Sequence, residues 1–195
     1  MTDRGYYFPT LKGRRFYPSD PQPGDFDLEE IAHALSMICR FGGQIRSFYS
    51  VGQHSVLVGR AVFGATGNHA LALYGLLHDA AEAYIGDVVW PVKHASEMRG
   101  YKVLEQRVES ALRRQFGLHP VQPDVVKHYD LVLLATEKRD LREREDPHVR
   151  HEHDLARSSY GLHADIAPLS ERIEPWDMQT AEYTFLDDFR VWSHP

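Results

Sequence analysis

Apolar residues recur every three to four positions along most of the chain, which is the spacing typical of amphipathic α-helices. Asp27 and Ser50 are suited to cap the first two helices, and Gly42 and Gly86 favour the ends of the first and third. The predicted helices cover about residues 27–41, 50–63, 69–85, 97–116, 124 onward, and 175–192.

Two parts of the chain lack this period. Residues 1–25 are rich in Pro, Gly, Tyr and Arg, and Lys12-Gly13 predicts the turn of a short β-hairpin. Residues 142–170 are charged, and we interpret them as an irregular insertion. The pattern therefore predicts an all-α, single-domain helical bundle with a short N-terminal hairpin, in which residues 27–141 carry the motifs and 175–192 form the last helix.

Composition excludes several classes of protein. A hydrophobic share of 43% and a charged share of 26% are ordinary for a soluble domain, and the formal charge of −6 argues against general nucleic-acid binding. No apolar run approaches the roughly 18 residues of a membrane span, and the N-terminus lacks the apolar core of a signal peptide. The single cysteine, Cys39, excludes an intramolecular disulfide, so we expect a cytoplasmic protein.

The pair His78-Asp79 interrupts the most apolar predicted helix, where ionisable groups are tolerated when they are paired or hold a metal. Glu82 follows His78 by four residues, so both lie on one helix face. His54 and Asp130 lie in two other predicted helices. Taken singly, His54 is more often a core histidine and Asp130 a solvated carboxylate. Together, two imidazoles and two carboxylates suit a divalent transition metal held inside a bundle.

Three stretches strengthen this hypothesis: IAHALSMICRFGGQIRSFYSVGQHS, ALYGLLHDAAEAYIGDVVWPVK and KHYDLVLLATEKRDL. They span residues 31–141, and their H…HD…D pattern resembles the HD-domain metal-dependent phosphohydrolases. The resemblance is closest to the bacterial 5′-deoxynucleotidase-like branch and to the small phage deoxynucleotide phosphohydrolases. It implies an HD-type helical fold and one bound divalent ion, for which Mn, Co, Ni, Fe, Zn and Mg are all compatible.

The resemblance also implies roles for individual residues. The implied metal ligands are His54, His78, Asp79 and Asp130. The implied catalytic carboxylates are Glu82, which would orient or deprotonate water, and Asp87. The implied substrate-binding residues are Arg40, Phe41, Lys93 and Lys127. Simpler interpretations stand beside these: Glu82 could tether a ligand histidine, Arg40 could be a helix-end charge, and the lysines could be solvated.

The expected function is hydrolysis of a deoxynucleoside 5′-monophosphate to deoxynucleoside and phosphate, with a nucleotide as partner and neither nucleic acid nor membrane. Triphosphate hydrolysis is the alternative, because three cations near one metal would suit a polyphosphate. Hydrolysis of cyclic dinucleotides or of (p)ppGpp lacks its usual signatures here. A non-catalytic metal-containing nucleotide-binding module would have a closed coordination sphere.

The aromatic last helix could serve a homodimer. His148, His151, His153 and Asp154 lie in a polar stretch where metal binding would be adventitious.

Overall fold

The computed structural model describes residues 4–142 and 166–193, and it confirms an all-α fold with a small N-terminal hairpin. The polar His148–Asp154 stretch lies outside these residues. None of the helices in the described ranges is both long and apolar enough to cross a membrane. The elements are β1 Phe8–Pro9, β2 Arg15–Phe16, α1 Leu28–Met37, α2 Val51–Thr66, α3 His69–Leu77, α4 Glu82–Ile85, α5 Trp90–Lys93, α6 Arg99–Gln115, α7 Asp124–Leu141 and α8 Met178–Ser193.

Helix α2 lies at the centre of the bundle, packed against α1, α3, α7 and α8. The predicted hairpin is confirmed: β1 and β2 pair antiparallel, and Gly13 supplies a positive φ of 74° in the turn between them. The hairpin covers one end of the core, where the buried ring of Phe16 stacks on Tyr84 with the ring centroids 4.4 Å apart.

Both predicted N-caps are confirmed. The Asp27 carboxylate accepts from the backbone of Glu29 and Glu30, and the Ser50 hydroxyl accepts from Gln53 N. The predicted end of the first helix is wrong, however, because α1 stops at Met37. Its chain then turns extended, and a β-bridge pairs Cys39 with Ser50. Because Cys39 pairs with Ser50, the backbone leaves the helical conformation before it reaches Gly42.

The predicted third helix is broken in the middle. After α3 ends at Leu77, the bonds Ala80 N to Leu77 O and Glu82 N to Asp79 O span three residues rather than four. His78 contributes to this tightening, because its Nδ1 lies 2.7 Å from the Gly75 carbonyl oxygen and donates to it. The HD pair therefore lies in a turn between α3 and α4, and Glu82 is the first residue of α4.

The remaining helices agree with the sequence prediction apart from their ends. Helix α6 is preceded by a 3₁₀ turn at Ser96–Met98, and the single-turn helix α5 was not predicted. Helix α8 begins at Met178 rather than near residue 175, because Asp177 is its cap: the Asp177 carboxylate accepts from Thr180 N at 2.7 Å.

Glycines allow α2, which carries His54, and α3, which ends just before His78, to pack closely. A Cβ placed on Gly75 would lie 3.0 Å from Gly59 Cα. A Cβ on Gly59 would lie 2.6 Å from the ring of the buried Trp192 and 3.0 Å from the Ala72 carbonyl oxygen. Only glycine fits at these two positions without moving the helices apart.

Gly59→Ala is therefore expected to destabilise the fold by about 1–3 kcal/mol, the usual cost of overpacking, even though alanine is the better helix former by about 1 kcal/mol. Gly64→Ala is the matched control, since Gly64 lies in the same helix with no atom within 4 Å of the added Cβ. Urea unfolding of both variants measures the difference. Equal stabilisation by both substitutions would show that α2 has room at Gly59.

Candidate metal centre

Four side chains predicted as metal ligands converge from α2, the turn after α3, and α7. His54 Nε2 lies 3.2 Å from Asp130 Oδ1, and His78 Nε2 lies 3.2 Å from Asp79 Oδ2. The crossed distances, His54 Nε2 to Asp79 Oδ2 and His78 Nε2 to Asp130 Oδ1, are both 3.7 Å. Four polar atoms, from residues as far apart in sequence as His54 and Asp130, thus face one small volume.

Both imidazole rings use their nitrogens in the same way: Nδ1 is hydrogen-bonded, and Nε2 faces the shared volume. His54 Nδ1 lies 2.6 Å from Glu137 Oε1, and His78 Nδ1 lies 2.7 Å from the Gly75 carbonyl oxygen. Because each acceptor accepts a hydrogen bond from Nδ1–H, the neutral rings present the lone pair of Nε2 to the shared volume. This is the arrangement that holds histidine ligands in metal sites.

The shared volume fits a metal ion. The Nε2 atoms of His54 and His78 are buried and have no hydrogen-bond partner among the described residues, which is costly for polar atoms. His54, His78 and Asp79 each offer one ligand atom, and these atoms lie within 4.8 Å of one another. This group could hold a divalent ion through mixed nitrogen and oxygen donors.

The centre is closed on the histidine side and open on the carboxylate side. The side chains of His54 and His78 are 0% and 4% exposed, whereas those of Asp79 and Asp130 are 23% and 34% exposed. Solvent or a small anion can therefore approach the carboxylate face. A purely structural metal site would be closed on all sides.

The four groups shift one another's pKa in opposite directions. Burial raises the pKa of Asp79, but the charge of His78 outweighs it, and the pKa of Asp79 is lowered. Burial also raises the pKa of Asp130, but the two histidines, whose Nε2 atoms lie 3.2 Å and 3.7 Å from its Oδ1, lower that pKa well below its usual range. Burial lowers the pKa of His78, and the two carboxylates more than reverse this. The ion-free cluster therefore favours ionised carboxylates and protonated histidines.

Glu82 and Asp87 lie beside this cluster and behave differently. Burial, with the charges of Asp79 and Asp87, raises the pKa of Glu82 well above its usual value. Burial also raises the pKa of Asp87. Glu82 Oε2 is buried and has no hydrogen-bond partner among the described residues. Because Glu137 and Gly75 hold the two histidine Nδ1 atoms, the interpretation of Glu82 as a histidine tether is wrong.

Arg40 reaches the centre from the loop after α1. Its Nη2 donates to Glu137 Oε2 at 3.1 Å, and its Nη1 lies 3.6 Å from Asp79 Oδ2, which is too long for a hydrogen bond. Burial lowers the pKa of Arg40, but Glu137 and Asp79 raise it further than burial lowers it, so it stays charged. The interpretation of Arg40 as a helix-end charge is wrong, because α1 ends at Met37.

Phe41 lies next to the centre in a strained conformation. Its φ and ψ of 57° and 25° are left-handed, which costs a residue other than glycine about 1–3 kcal/mol and is most often found at functional sites. The guanidinium carbons of Arg40 and Arg142 lie 5.2 Å and 6.0 Å from the centre of its ring. Phe41 is partly buried, and two cations lie near its ring.

The two lysines predicted to bind substrate do not contact the four-residue cluster directly. Lys93, in α5, forms an ion pair with Glu105, with Nζ 2.5 Å from Oε1, although its charge still acts on Glu82 and Asp79. Lys127 lies exposed in the first turns of α7. Lys93 is thus partly neutralised, and Lys127 is solvated.

Sequence reasoning missed Glu137, which is fully buried and contacts both His54 and Arg40. It also missed Tyr49, whose buried phenol has its pKa raised by burial and by the charge of Glu137. One signal was present for Glu137: it follows Asp130 by seven residues, or two helical turns, and so shares its face of α7.

Comparison with known proteins finds similar bacterial chains. The uncharacterized protein YfdR of Escherichia coli is 39% identical over 135 residues, which cover 69% of this chain and 72% of YfdR. An uncharacterized protein of Rhodobacter capsulatus is 42% identical over 123 residues, covering 60% of this chain and 61% of its own length. No protein family model matches the chain.

Proposed function

This chain belongs to the family of the uncharacterized Escherichia coli protein YfdR, and from the chemistry of its centre we propose that it is a metal-dependent phosphohydrolase of deoxynucleotides. The observation that carries the proposal is the pair of buried Nε2 atoms aimed, with the carboxylates of Asp79 and Asp130, at one solvent-facing volume. The resemblance of the H…HD…D stretches to HD-domain phosphohydrolases supports the same reaction.

His54, His78, Asp79 and Asp130 would hold the ion. A divalent ion there supplies Lewis-acid chemistry, lowering the pKa of water towards about 7 and offsetting negative charge on phosphoryl oxygens. One divalent ion and Arg40 would together balance the three negative charges of Asp79, Asp130 and Glu137. The partly exposed carboxylates leave the approach side open for a substrate.

Glu82 would act as the general base. Burial and the charges of Asp79 and Asp87 raise the pKa of Glu82 well above its usual value, which makes its carboxylate a stronger proton acceptor. The attacking water oxygen forms a bond to phosphorus as the bond to the 5′-oxygen breaks. Glu82 takes one water proton, the leaving 5′-oxygen takes a proton from solvent to give the deoxynucleoside hydroxyl, and Glu82 then releases its proton to solvent.

Arg40 would bind the phosphoryl group. Its Nη2 is fixed by Glu137, while Nη1 is directed towards the open side near Asp79 without a hydrogen bond to it. Guanidinium groups bind phosphate through paired N–H donors, so Nη1 is placed to donate to a phosphoryl oxygen. Phe41 would pack against the nucleoside next to this arginine.

A monophosphate is the better-supported substrate. Of the three cations predicted to bind substrate, Arg40 lies closest to the cluster, whereas Lys93 is paired with Glu105 and Lys127 is exposed. A triphosphate carries about three to four charges and would need further donors at the same face. The triphosphate alternative therefore has less support from the cations than the sequence suggested.

A substrate and metal screen tests the proposal. The full chain is stripped of metal and assayed with deoxynucleoside mono-, di- and triphosphates, each with Mn, Co, Ni, Fe, Zn or Mg, and products are identified by mass. We expect deoxynucleoside and orthophosphate from monophosphates, lost on chelation and restored by metal. Release of triphosphate or pyrophosphate would establish the alternative substrate class. No turnover with any combination would reject the hydrolase in favour of a binding module.

A further inference from the structure

Glu137 joins the two halves of the centre through one carboxylate. Its Oε1 lies 2.6 Å from His54 Nδ1, and its Oε2 accepts from Arg40 Nη2 at 3.1 Å. The side chain is fully buried in α7, and its two partners precede it by 83 and 97 residues. A fully buried carboxylate is costly unless both its oxygens are satisfied, and here each oxygen has a different functional partner.

The first contact determines what His54 can bind. With Oε1 holding the Nδ1 proton, Nε2 of the neutral ring is free of hydrogen and directed at the shared volume. An anionic acceptor also makes the ring a stronger donor to a cation. Loss of such an acceptor typically lowers metal affinity by about 10–100-fold.

The second contact determines where Arg40 lies. The Arg40 side chain is 12% exposed, and among the described residues Glu137 is the carboxylate within hydrogen-bond distance of its guanidinium. Without this partner the group would be a buried cation facing only the more distant Asp79, and it would turn towards solvent. Its donors would then leave the position next to the cluster.

We propose that Glu137 is a positioning residue that couples the two binding events of this centre, metal binding through His54 and phosphate binding through Arg40. The inference rests on the proposed function for the identity of the anion, but not for the metal. Glu137 touches neither ion nor substrate. Its charge and its two fixed hydrogen bonds determine whether both can bind together.

Glu137→Gln is a sharp test because an amide cannot replace both contacts. If the amide oxygen faces His54, the amide NH₂ faces the Arg40 donors and repels them. If the NH₂ faces His54, Nδ1 must accept, and the proton moves to Nε2, where it blocks metal binding. Either orientation breaks one contact, and the loss of the negative charge weakens the other, because the charge both strengthens His54 as a donor and compensates the buried Arg40.

The experiment measures two dissociation constants on the full, metal-free chain: that of Co²⁺, by calorimetry and visible absorption, and that of inorganic phosphate in saturating Co²⁺. Glu137→Gln is expected to weaken Co²⁺ binding by about 10–100-fold and to weaken phosphate binding as well. Arg40→Ala should weaken phosphate binding alone. Glu137→Asp, which keeps the charge, should recover part of both affinities and serves if the glutamine variant does not fold.

Asp140→Asn is the matched control. Asp140 is a buried carboxylate one turn along the same helix, paired with Arg139 and Arg172 rather than with the centre. It should lose some stability and keep both affinities. Parent-like affinities in Glu137→Gln would overturn the proposal, and so would a loss confined to one ligand. Since neither measurement needs turnover, an inactive parent that shows the expected losses would reject the hydrolase and leave the role of Glu137 standing.

Discussion

His78→Ala is expected to lower the affinity for a divalent ion by more than about 100-fold, the upper range for loss of a mere supporting hydrogen bond. Its Nε2 is one of two buried nitrogens that have no hydrogen-bond partner among the described residues, and alanine offers no donor. A bound metal ion stabilises the charge of the transition state by several kcal/mol, and each 1.4 kcal/mol or so of activation free energy changes the rate about tenfold. Phosphate release from a deoxynucleoside monophosphate should therefore fall at least about 10³-fold.

Co²⁺ titration of the metal-free variant, followed by the phosphate assay, measures both losses. His69→Ala is the matched control, since His69 begins α3, the helix that ends just before His78, and its Nδ1 lies 3.2 Å from the Val191 carbonyl oxygen, away from the cluster. It should bind Co²⁺ like the parent. Parent-like Co²⁺ affinity in His78→Ala would show that His78 does not hold the ion. The proposed metal centre would then be rejected, and the proposed hydrolase activity with it.

The same titration should depend on pH with a defined sign. In the ion-free protein burial lowers the pKa of His78, and Asp79 and Asp130 raise it well above the usual value. A protonated imidazole cannot bind a cation, so protons compete with metal. Affinity should therefore fall as pH decreases, beginning above the ordinary histidine pKa of about 6.5.

The cluster of His54, His78, Asp79 and Asp130 could be predicted from sequence because its members are chemically distinctive. A histidine and an aspartate side by side in an apolar run need a partner, and the H…HD…D stretches supplied His54 and Asp130 as that partner. The structure brings all four side chains together. Caps at Asp27 and Ser50 were predictable for the same reason, since the residue that makes the bond lies within three positions of its acceptor.

Features that depend on distant partners were not predictable. Glu137 lies in a stretch whose carboxylate could equally have been solvated, and its role arises from residues 83 and 97 positions away. The end of α1 depends on the bridge between Cys39 and Ser50. The spacing of apolar residues reflects burial and does not show a backbone bridge such as that between Cys39 and Ser50. The first helix was therefore predicted to extend beyond Met37.

The break at the HD pair has another cause. The apolar period continues through residues 70–85, so the sequence predicts one helix. In the structure the His78 ring bonds back to the Gly75 carbonyl, and the following backbone bonds tighten. The spacing of apolar residues does not show whether a side chain, such as the His78 ring, will hydrogen-bond to a backbone carbonyl and end the helix. The turn also places Glu82 at the start of α4, beside the cluster and not bonded to either histidine.

Glu82→Gln is expected to keep the metal and to lose most of the turnover. Positioned proton transfer is worth about 10²–10⁴ in rate, and glutamine cannot accept the proton. Neither histidine depends on Glu82, because Glu137 and the Gly75 carbonyl hold their Nδ1 atoms. Phosphate release from a deoxynucleoside monophosphate should fall by about 10²-fold or more while the Co²⁺ dissociation constant stays within about twofold of the parent.

Glu30→Gln is the control for removing a buried carboxylate. Glu30 is also buried and also has an Oε2 without a hydrogen-bond partner among the described residues, but its Oε1 accepts from Thr10 and Lys12 in the hairpin. That variant should turn over like the parent. If Glu82→Gln kept parent turnover, the base would have to be another group, and Asp87, whose pKa is also raised by burial, would be the next residue to replace. A joint loss of metal and turnover would instead make Glu82 part of the ion's support.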